Sequence, residues 1–385
     1  MKKICFLVDS IFSIGGVQRV TAVIAKALSK DYHVTIVSMD DPSIKNTSFY
    51  DLHEADIEYR FFQYDPLSKW KTHFLWVCSA IYRRILPQNK LTTNWYCHSS
   101  FPSERRIPMI RELQQGNYDV IIGVHAPLAA RLAICKPYLN GAKLIGWVHN
   151  SHEALFKKGS IYIGPELIKY YEIQLAKLHH TIILCQYDAQ QYHIPTKVIP
   201  NPLTLDPGAL SKETSKKFLA IGRLSHLHKG FDLLIQAFYL FAEKNKEWTL
   251  DIVGEGVEEE PYRKMISEYG LQERITIHPF TNHIQSYYSD AQVYVLSSRW
   301  EGFGLVLVEA MAHGLPIVSS DLPTSKEIMG DFGLFFENGN IEELALRLEE
   351  ATHLDWSKKS KEALDIAKRF ELNTIIPQWK KLIED

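Results

Sequence analysis

The chain alternates short runs of consecutive apolar residues with longer stretches in which apolar residues recur at helical spacing. Residues 4–8 (ICFLV) form one such run, residues 22–28 have the helical spacing, and residues 33–37 form the next predicted strand. Continuous apolar runs are typical of buried parallel strands, and strands that alternate with helices predict βαβ units. We therefore predict an α/β protein built on parallel sheets.

The alternation of predicted strands and helices occurs in two series, one in the first half of the chain and one in the second. The further predicted strands lie at residues 118–125, 144–150, 182–185, 218–224, 249–256, 275–280 and 293–296. Between the two series, residues 204–217 are polar and contain Gly, Pro and Ser, which is typical of a linker. We therefore expect two domains. Within the first, residues 40–115 mix strand and helix periodicities, so the sequence predicts no helices or strands there.

The most informative stretch is residues 297–314, SSRWEGFGLVLVEAMAHG, which lies between two predicted strands. Gly302 and Gly304 fall where a helix begins, and main-chain N–H groups at a helix start bind phosphate. Phe303 and Leu305 belong to the same turn and would add their N–H groups. The pattern predicts a βαβ unit whose turn binds a phosphate-bearing ligand.

Two carboxylates accompany this turn. Glu309 lies in the middle of an apolar helix, where an unpaired carboxylate is costly and should have a dedicated partner. Ribose hydroxyls would serve, and a nearby main-chain group is the alternative. Glu301 lies just before the helix, where it could accept from a sugar hydroxyl or simply favour the helix dipole.

Cations and glycines mark two other strand-to-helix turns. Arg223 and Lys229 bracket the turn after residues 218–222. A guanidinium fork and an ammonium both suit a diphosphate, but two solvated surface cations fit the pattern as well. Gly15 and Gly16 occupy the first turn of the chain, where a tight turn and a phosphate contact are both consistent. Their spacing is not G-x-G-x-x-G, which argues against a dinucleotide site.

Polar residues also follow two strands of the early series. His125 ends one predicted strand, and His149 and Asn150 end the next. Open α/β sheets bind ligands at the carboxyl ends of their strands, although a loop histidine without a function is the alternative. His149 and His152 form an H-x-x-H pair without an acidic residue at ligand spacing, so we predict no metal site.

Composition adds a charge asymmetry. Residues 1–200 carry 23 Lys and Arg against 16 Asp and Glu, whereas the remainder carries 20 against 29. Basic residues and aromatics are interspersed in the first half, a mixture that suits an anionic lipid surface. Ordinary surface variation explains the asymmetry equally well. The basic groups are Lys69 and Lys71, Arg83 and Arg84, Arg105, Arg106 and Arg111, and Lys157 and Lys158.

The remaining composition indicates an ordinary globular protein. Of the 385 residues, 46% are hydrophobic and 23% are charged, and the five cysteines are widely spread. The short apolar run after Met1 resembles neither a signal peptide nor a membrane span. We expect a cytoplasmic protein with reduced cysteines and, if the basic patch is functional, peripheral contact with the inner face of the membrane.

Residues 301–309 resemble the E-x7-E signature of glycosyltransferase family 4, the group 1 glycosyl transferases. Residues 222–230, with Arg223 and Lys229, resemble the diphosphate-binding turn of the same family. The resemblance extends over nearly the whole chain and is strongest in the second half. It implies the GT-B architecture, in which two Rossmann-like domains with parallel sheets face each other across a cleft.

The resemblance also implies domain bounds. They are 1–202 for an acceptor domain, with a C-terminal helix at 372–385 packing back on it, and 203–371 for a donor domain.

The same resemblance implies roles for the site residues. Glu309 would hold the ribose, Glu301 the hydroxyls of the donor sugar, and Phe280 the nucleobase through its main chain. His125 would touch the donor hexose near the reacting carbon, with His149 and Asn150 nearby. The residues for diphosphate contact are Arg223, Lys229, Gly302, Phe303, Gly304 and Leu305. Gly16, and with it Gly15, would lie near both the diphosphate and the acceptor.

The implied activity is that of a retaining glycosyltransferase. It would move a hexose or N-acetylhexosamine from a nucleotide diphosphate sugar, with UDP favoured, to a glycan acceptor. We expect a lipid-linked intermediate of a bacterial surface polysaccharide. The chain has no D-x-D motif, so we expect no cofactor and no divalent metal. A UDP-sugar epimerase of the same fold and a non-catalytic nucleotide-sugar-binding partner subunit are the alternatives. A nucleic-acid ligand would require a more basic chain.

Overall fold

The computed structural model describes residues 1–139, 141–225 and 228–385 and divides into two compact units. The first unit comprises Met1–Pro200 with Ile375–Asp385, and the second comprises Asn201–Thr374. For the same division the sequence predicts 1–202 with 372–385, and 203–371.

The first unit contains a parallel sheet whose described strands follow the order β3-β2-β1-β4-β5-β6-β7. They are β1 (Lys3–Val8), β2 (His33–Ser38), β3 (Ile57–Phe61), β4 (Val120–Val124), β5 (Lys143–Trp147), β6 (His180–Ile183) and β7 (Lys197–Val198). From β1 the strand order runs towards β2 and β3 on one side, and from β4 it runs towards β5, β6 and β7 on the other. The loops that follow β1 and β4 therefore lie side by side at the carboxyl edge of the sheet. Open α/β sheets place their ligands at such a switch point.

Helices connect these strands and cover the sheet. They are α1 (Gly16–Leu28), α2 (Lys69–Arg84), α3 (Lys90–Ser100), α4 (Ser103–Gly116), α5 (Ala126–Cys135), α6 (His152–Phe156), α7 (Ile168–Leu175) and α8 (Gln186–Gln191). Three of them, α2 to α4, and strand β3 occupy the part of the chain in which the sequence defined no elements.

The second unit repeats the plan with the strand order β10-β9-β8-β11-β12-β13, again parallel among the described residues. The strands are β8 (Lys217–Ile221), β9 (Thr249–Val253), β10 (Ile275–His278), β11 (Val293–Leu296), β12 (Ile317–Ser320) and β13 (Leu334–Phe336). The helices are α9 (Phe231–Ala242), α10 (Glu259–Glu268), α11 (Gln285–Asp290), α12 (Leu305–Ala312), α13 (Pro323–Met329), α14 (Ile341–Ala351) and α15 (Trp356–Ala367). The prediction of an α/β protein with two parallel sheets is confirmed.

The last helix, α16 (Leu372–Glu384), returns the chain to the first unit. Its buried Trp379 packs edge-to-face on Trp147 at the end of β5, with ring centroids 4.7 Å apart. Lys143 Nζ donates to the main-chain oxygens of Leu382 and Ile383 at 3.2 and 3.3 Å, as suits the negative end of a helix dipole. The helix therefore completes the core beside β5.

Candidate functional site

The predicted residues of the second unit follow the carboxyl ends of three strands of the same parallel sheet. Arg223 follows β8, Phe280 follows β10, and the glycine turn follows β11. Gly304 begins α12 with φ +77°, a left-handed conformation that glycine adopts without the steric penalty of a Cβ atom. Among the described side chains none caps this helix start. The main-chain N–H groups in the first turn of α12 thus have no side-chain cap, as binding of a ligand there would require.

Lys229 and Glu301 form a buried ion pair beside this turn. Lys229 Nζ lies 2.6 Å from Glu301 Oε1, and the Ser298 hydroxyl donates to the same oxygen at 2.6 Å. The Lys229 stem lies against Gly222, where an added Cβ would approach its Cε atom to 2.7 Å. Burial opposes ionisation of Glu301, but Lys229 and His228 together outweigh it and hold the pKa of that carboxyl well below its usual range. The Glu301 carboxylate is therefore charged and held in place.

A second pair fixes the approach to the turn. Arg299 donates from both terminal nitrogens to Asp232 on α9, at 2.9 and 2.6 Å. Trp300 stacks on His228, with centroids 5.0 Å apart and planes inclined by 12°. Sequence reasoning missed these partners, although a bidentate pair between an arginine and an aspartate is a strong and directional contact. Together they anchor residues 299 and 300 to the segment that carries Lys229.

Glu309 is almost fully buried on α12, as its apolar neighbours predict. The Tyr288 hydroxyl donates to Glu309 Oε2 at 2.8 Å, and the Thr204 hydroxyl donates to Oε1 at 3.2 Å. The predicted dedicated partners thus include two hydroxyl groups of the protein itself. These hydrogen bonds hold the carboxylate in place within the apolar helix.

The other predicted residues of this unit differ in exposure. Arg223 and Phe280 are exposed, and Gly302 is partly exposed. Phe303 is buried and packs edge-to-face on Phe370 at 5.7 Å, so its ring is a structural anchor of the turn. Only the main chain of Phe303 is placed to serve the predicted ligand contact.

In the first unit, Gly15 and Gly16 lie at the start of α1. The Gly15 N–H donates to the Tyr50 hydroxyl at 2.8 Å, and that hydroxyl lies 3.0 Å from the main-chain oxygen of Ser13. Gly16 is exposed. Tyr50, which sequence reasoning missed, therefore fixes the shape of this loop.

His125 follows β4 and has an unusual backbone, with φ +73°. Such conformations are costly for residues other than glycine and occur preferentially at functional sites. Its N–H donates to the main-chain oxygen of Trp147 on the adjacent strand at 2.9 Å. Burial lowers the pKa of the His125 imidazole, and the charge of Asp9 opposes this only in part.

His149 lies next to His125, with ring centroids 5.5 Å apart, and against Trp147 at 4.2 Å. Within residues 1–139, 141–225 and 228–385, neither ring nitrogen of His149 has a hydrogen-bond partner. Burial lowers the pKa of this imidazole well below its usual value, and His125 adds to the effect. A buried, neutral and unpartnered imidazole can both donate to and accept from a ligand. Asn150 follows, partly exposed.

Among the predicted residues, the structure brings Lys229 to Glu301 in the second unit and His125 to His149 in the first. In the part of the chain that is described, no three His, Cys, Asp or Glu side chains are grouped so that they could hold a metal ion. None of the described helices has the length and apolar character needed to cross a bilayer.

Comparison with known proteins extends these observations. Residues 204–369 match the model of the family described as glycosyl transferases group 1. The chain is 28% identical to an uncharacterized glycosyltransferase of Haemophilus influenzae, in an alignment that covers 100% of both chains. It is 27% identical to the poly(ribitol-phosphate) alpha-N-acetylglucosaminyltransferase of Staphylococcus aureus, over 63% of this chain and 50% of that one.

Solved structures share the architecture. Anabaena Alr3699/HepE, solved in complex with UDP, superposes with a TM-score of 0.75 at 19% identity over 99% of each chain. TarM superposes with a TM-score of 0.75 at 16% identity, over 100% of this chain and 99% of that one. The two parallel α/β units therefore have the GT-B fold of these structures. The match to the glycosyl transferases group 1 model lies within the second unit, at residues 204–369, and the Haemophilus influenzae relative of similar length is a glycosyltransferase.

Proposed function

We propose that the protein is a retaining glycosyltransferase that moves a hexose or N-acetylhexosamine from a UDP-sugar to a glycan acceptor. The observation that carries this proposal is the buried Lys229–Glu301 pair at the glycine turn, with the Ser298 hydroxyl on the same carboxylate oxygen. A fixed ammonium beside free helix N–H groups suits the negative charge that grows on a diphosphate as its sugar leaves. UDP is favoured because HepE is solved with UDP.

The second unit would bind the donor. Lys229, exposed Arg223 and the N–H groups of residues 302–305 would receive the diphosphate. Glu309, which Tyr288 and Thr204 hold in place, would accept from ribose hydroxyls. Glu301 would accept from hydroxyls of the sugar. Because these cations supply positive charge to the leaving group, we propose that transfer needs no divalent metal.

The first unit would serve the acceptor and the transfer step. The neutral His149 and the strained His125 offer hydrogen-bonding atoms without adding a fixed charge. Gly15 and Gly16 would lie near the diphosphate and the acceptor, with Gly16 exposed at the start of α1. The acceptor proposed is a lipid-linked glycan of a bacterial surface polysaccharide. This is supported by relatives named for such polymers, among them a lipopolysaccharide core mannosyltransferase of Rhizobium meliloti. The protein would then work in the cytoplasm at the membrane surface.

Thermal unfolding with UDP, GDP or ADP, each in buffer with EDTA, tests the donor assignment. A nucleotide at 100 times its dissociation constant should raise the free energy of unfolding by about 2.7 kcal/mol. We expect UDP alone to give this shift. A preference for GDP or ADP would revise the donor, and no response to any nucleotide would contradict donor binding by this unit. The anomeric configuration of the product, read by NMR, tests retention.

A further inference from the structure

Two arginines of the first unit lie against the same aromatic ring. The guanidinium carbons of Arg105 on α4 and Arg131 on α5 are each 5.8 Å from the centre of the Tyr64 ring. Arg131 is also 5.8 Å from the centre of the Phe101 ring. The face of an aromatic ring attracts a cation, and arginine does this more often than lysine. The two rings therefore hold two like charges close to one another.

This pair lies at the edge of the sheet where ligands bind. Tyr64 follows the carboxyl end of β3, and Arg131 lies on α5, which begins directly after β4. Arg105 lies in the first turn of α4, the helix that returns the chain to the start of β4, so this turn also faces the carboxyl edge. Open α/β sheets bind ligands there. His125, which precedes α5, is at the same edge of the sheet.

The two arginines lack acidic partners. Both are partly buried, and neither forms an ion pair with a carboxylate within residues 1–139, 141–225 and 228–385. The carboxylates of α4 are engaged by other cations, Glu104 by Lys71 and Glu112 by Arg60. The Nε group of Arg105 is buried and has no hydrogen-bond partner among the same residues. A buried donor without an acceptor is costly, and a bound anion would supply the acceptor.

The Tyr64 hydroxyl adds a neutral donor to this pair. It lies 4.0 Å from the sulfur of Met109, which is a weak acceptor. Burial raises the pKa of the Tyr64 hydroxyl, and Arg131 opposes this only in part, so the group stays protonated at neutral pH. Asp9 also acts on the pKa of Tyr64, but it is exposed and, within the described residues, pairs with neither arginine. The donors therefore favour an anionic ligand.

We propose that Arg105 and Arg131 bind a phosphate group that the acceptor carries. The planar guanidinium fork matches the oxygens of a phosphate in pairs, which a lysine ammonium does not. A glycan bound through hydroxyl groups alone would require no pair of unmatched cations. The inference rests on the proposed function for the role of the ligand as acceptor. It adds the chemical class of that acceptor, a glycan with a terminal phosphate or one attached through a linking phosphate.

The test measures phosphate binding by the full chain while UDP occupies the donor site. Thermal unfolding is followed in saturating UDP with increasing inorganic phosphate, against sodium chloride of equal ionic strength. We expect phosphate to raise the unfolding temperature of the wild type beyond the chloride control. In Arg105→Gln/Arg131→Gln, the phosphate concentration that gives half of this shift should rise at least about tenfold, because one charge-assisted hydrogen bond is typically worth that factor in affinity.

A matched control removes the same charge from the same unit. Arg84 and Arg111 are exposed, and Arg84→Gln/Arg111→Gln should respond to phosphate like the wild type. Arg105→Lys/Arg131→Lys keeps the two charges without the planar fork and should bind phosphate more weakly than the wild type. The unfolding of each variant without phosphate shows whether it folds. If the double glutamine variant does not, Arg105→Gln and Arg131→Gln are measured singly, and each should weaken phosphate binding.

Further ligands separate the possible sources of the anion. Methyl phosphate and dimethyl phosphate distinguish a terminal phosphate from one that links two groups, and glucuronate offers a carboxylate instead. In a transfer assay, inorganic phosphate should compete with the acceptor and not with the UDP-sugar. Competition with the UDP-sugar alone would overturn the assignment to the acceptor.

Four binding results would also overturn the inference. They are no phosphate-specific shift in the wild type, an unchanged response in the variants of Arg105 and Arg131, an equal loss in the control, and a shift with glucuronate but not with phosphate. A phosphate response that depends on the two arginines, in a protein that does not respond to UDP, would support the phosphate site while contradicting the proposed function.

Discussion

The candidate residues of the two units differ in charge and in hydrogen bonding. In the second unit two buried carboxylates have cationic partners: Glu301 has Lys229 at 2.6 Å, and Asp232 has Arg299 at 2.6 Å. In the first unit the buried His149 has no hydrogen-bond partner among the described residues, and burial keeps it neutral. The candidate site of the second unit therefore contains charged pairs where a diphosphate would bind, whereas that of the first unit contains the neutral imidazole of His149.

This difference also decides how each group responds to mutation. Removing one member of a buried ion pair leaves an uncompensated charge, which typically costs about 3–5 kcal/mol. Removing an unpartnered neutral imidazole leaves no charge behind. The second unit should thus show coupled losses of stability and function, whereas the first should lose function with little loss of stability.

Lys229→Met removes the cation of the Lys229–Glu301 pair in the second unit and should give the largest effect on turnover. Loss of one preorganised donor to a developing oxyanion typically lowers turnover by about 10²–10³. We expect a decrease of at least that order in a transfer assay, because the ammonium is fixed on Glu301 at 2.6 Å. Lys264→Met is the control, since Lys264 also lies near a glutamate, at 3.7 Å, but on an exposed helix face. Near-normal turnover of Lys229→Met would remove Lys229 from the mechanism.

The double variant Lys229→Met/Glu301→Gln sharpens this result. Glu301 loses its cation in the single variant, so part of the loss could come from destabilisation. Neutralising Glu301 as well should restore most of the stability but none of the turnover, since the two residues share one contact. Urea unfolding and the transfer assay on the wild type, Lys229→Met, Glu301→Gln and the double variant measure stability and turnover. Recovery of turnover in the double variant would mean that Lys229 acts only on stability.

Tyr288→Phe tests whether Glu309 depends on its protein partners. The Tyr288 hydroxyl donates to Glu309 at 2.8 Å in a buried setting, so its removal leaves a carboxylate oxygen with one donor fewer. Leaving a buried polar group unsatisfied costs about 1–3 kcal/mol. Urea unfolding should show this loss, and it should become smaller when saturating UDP supplies ribose hydroxyls. Tyr269→Phe, at a half-buried tyrosine of the same unit, should change stability far less. Equal losses with and without UDP would argue against ribose contact by Glu309.

The local sequence predicted the parts of this arrangement that a single strand-to-helix turn defines. Apolar runs located the strands, and the glycines at 302 and 304 located the start of α12, because both signals are short-range. The partners Asp232, Tyr288 and Thr204 could not be found in this way. They come from other elements, and only the fold brings them to Arg299 and Glu309.

The helices α2 to α4 were missed for a different physical reason. A surface helix is recognised by an apolar stripe on one side and polar residues on the other. In α2, Trp70, Phe74 and Trp76 lie on the exposed side while Cys78 and Tyr82 are buried. Apolar residues therefore surround the helix, and the periodicity that would reveal it is lost.

His149→Leu removes the buried imidazole of the first unit and should give the smallest effect, a change in how stability depends on pH. Burial lowers the pKa of His149 in the folded state, so below the unfolded value of about 6.5 the unfolded chain binds more protons than the folded one. Stability should therefore fall as the pH drops, by up to about 1.4 kcal/mol per unit for this one group. Urea unfolding at pH 7.5 and 5.5 should show a smaller difference for His149→Leu than for the wild type. His33→Leu, at an exposed histidine, should follow the wild type. An unchanged pH difference in His149→Leu would mean that the imidazole has a partner when folded, and the contrast between the two units would no longer hold.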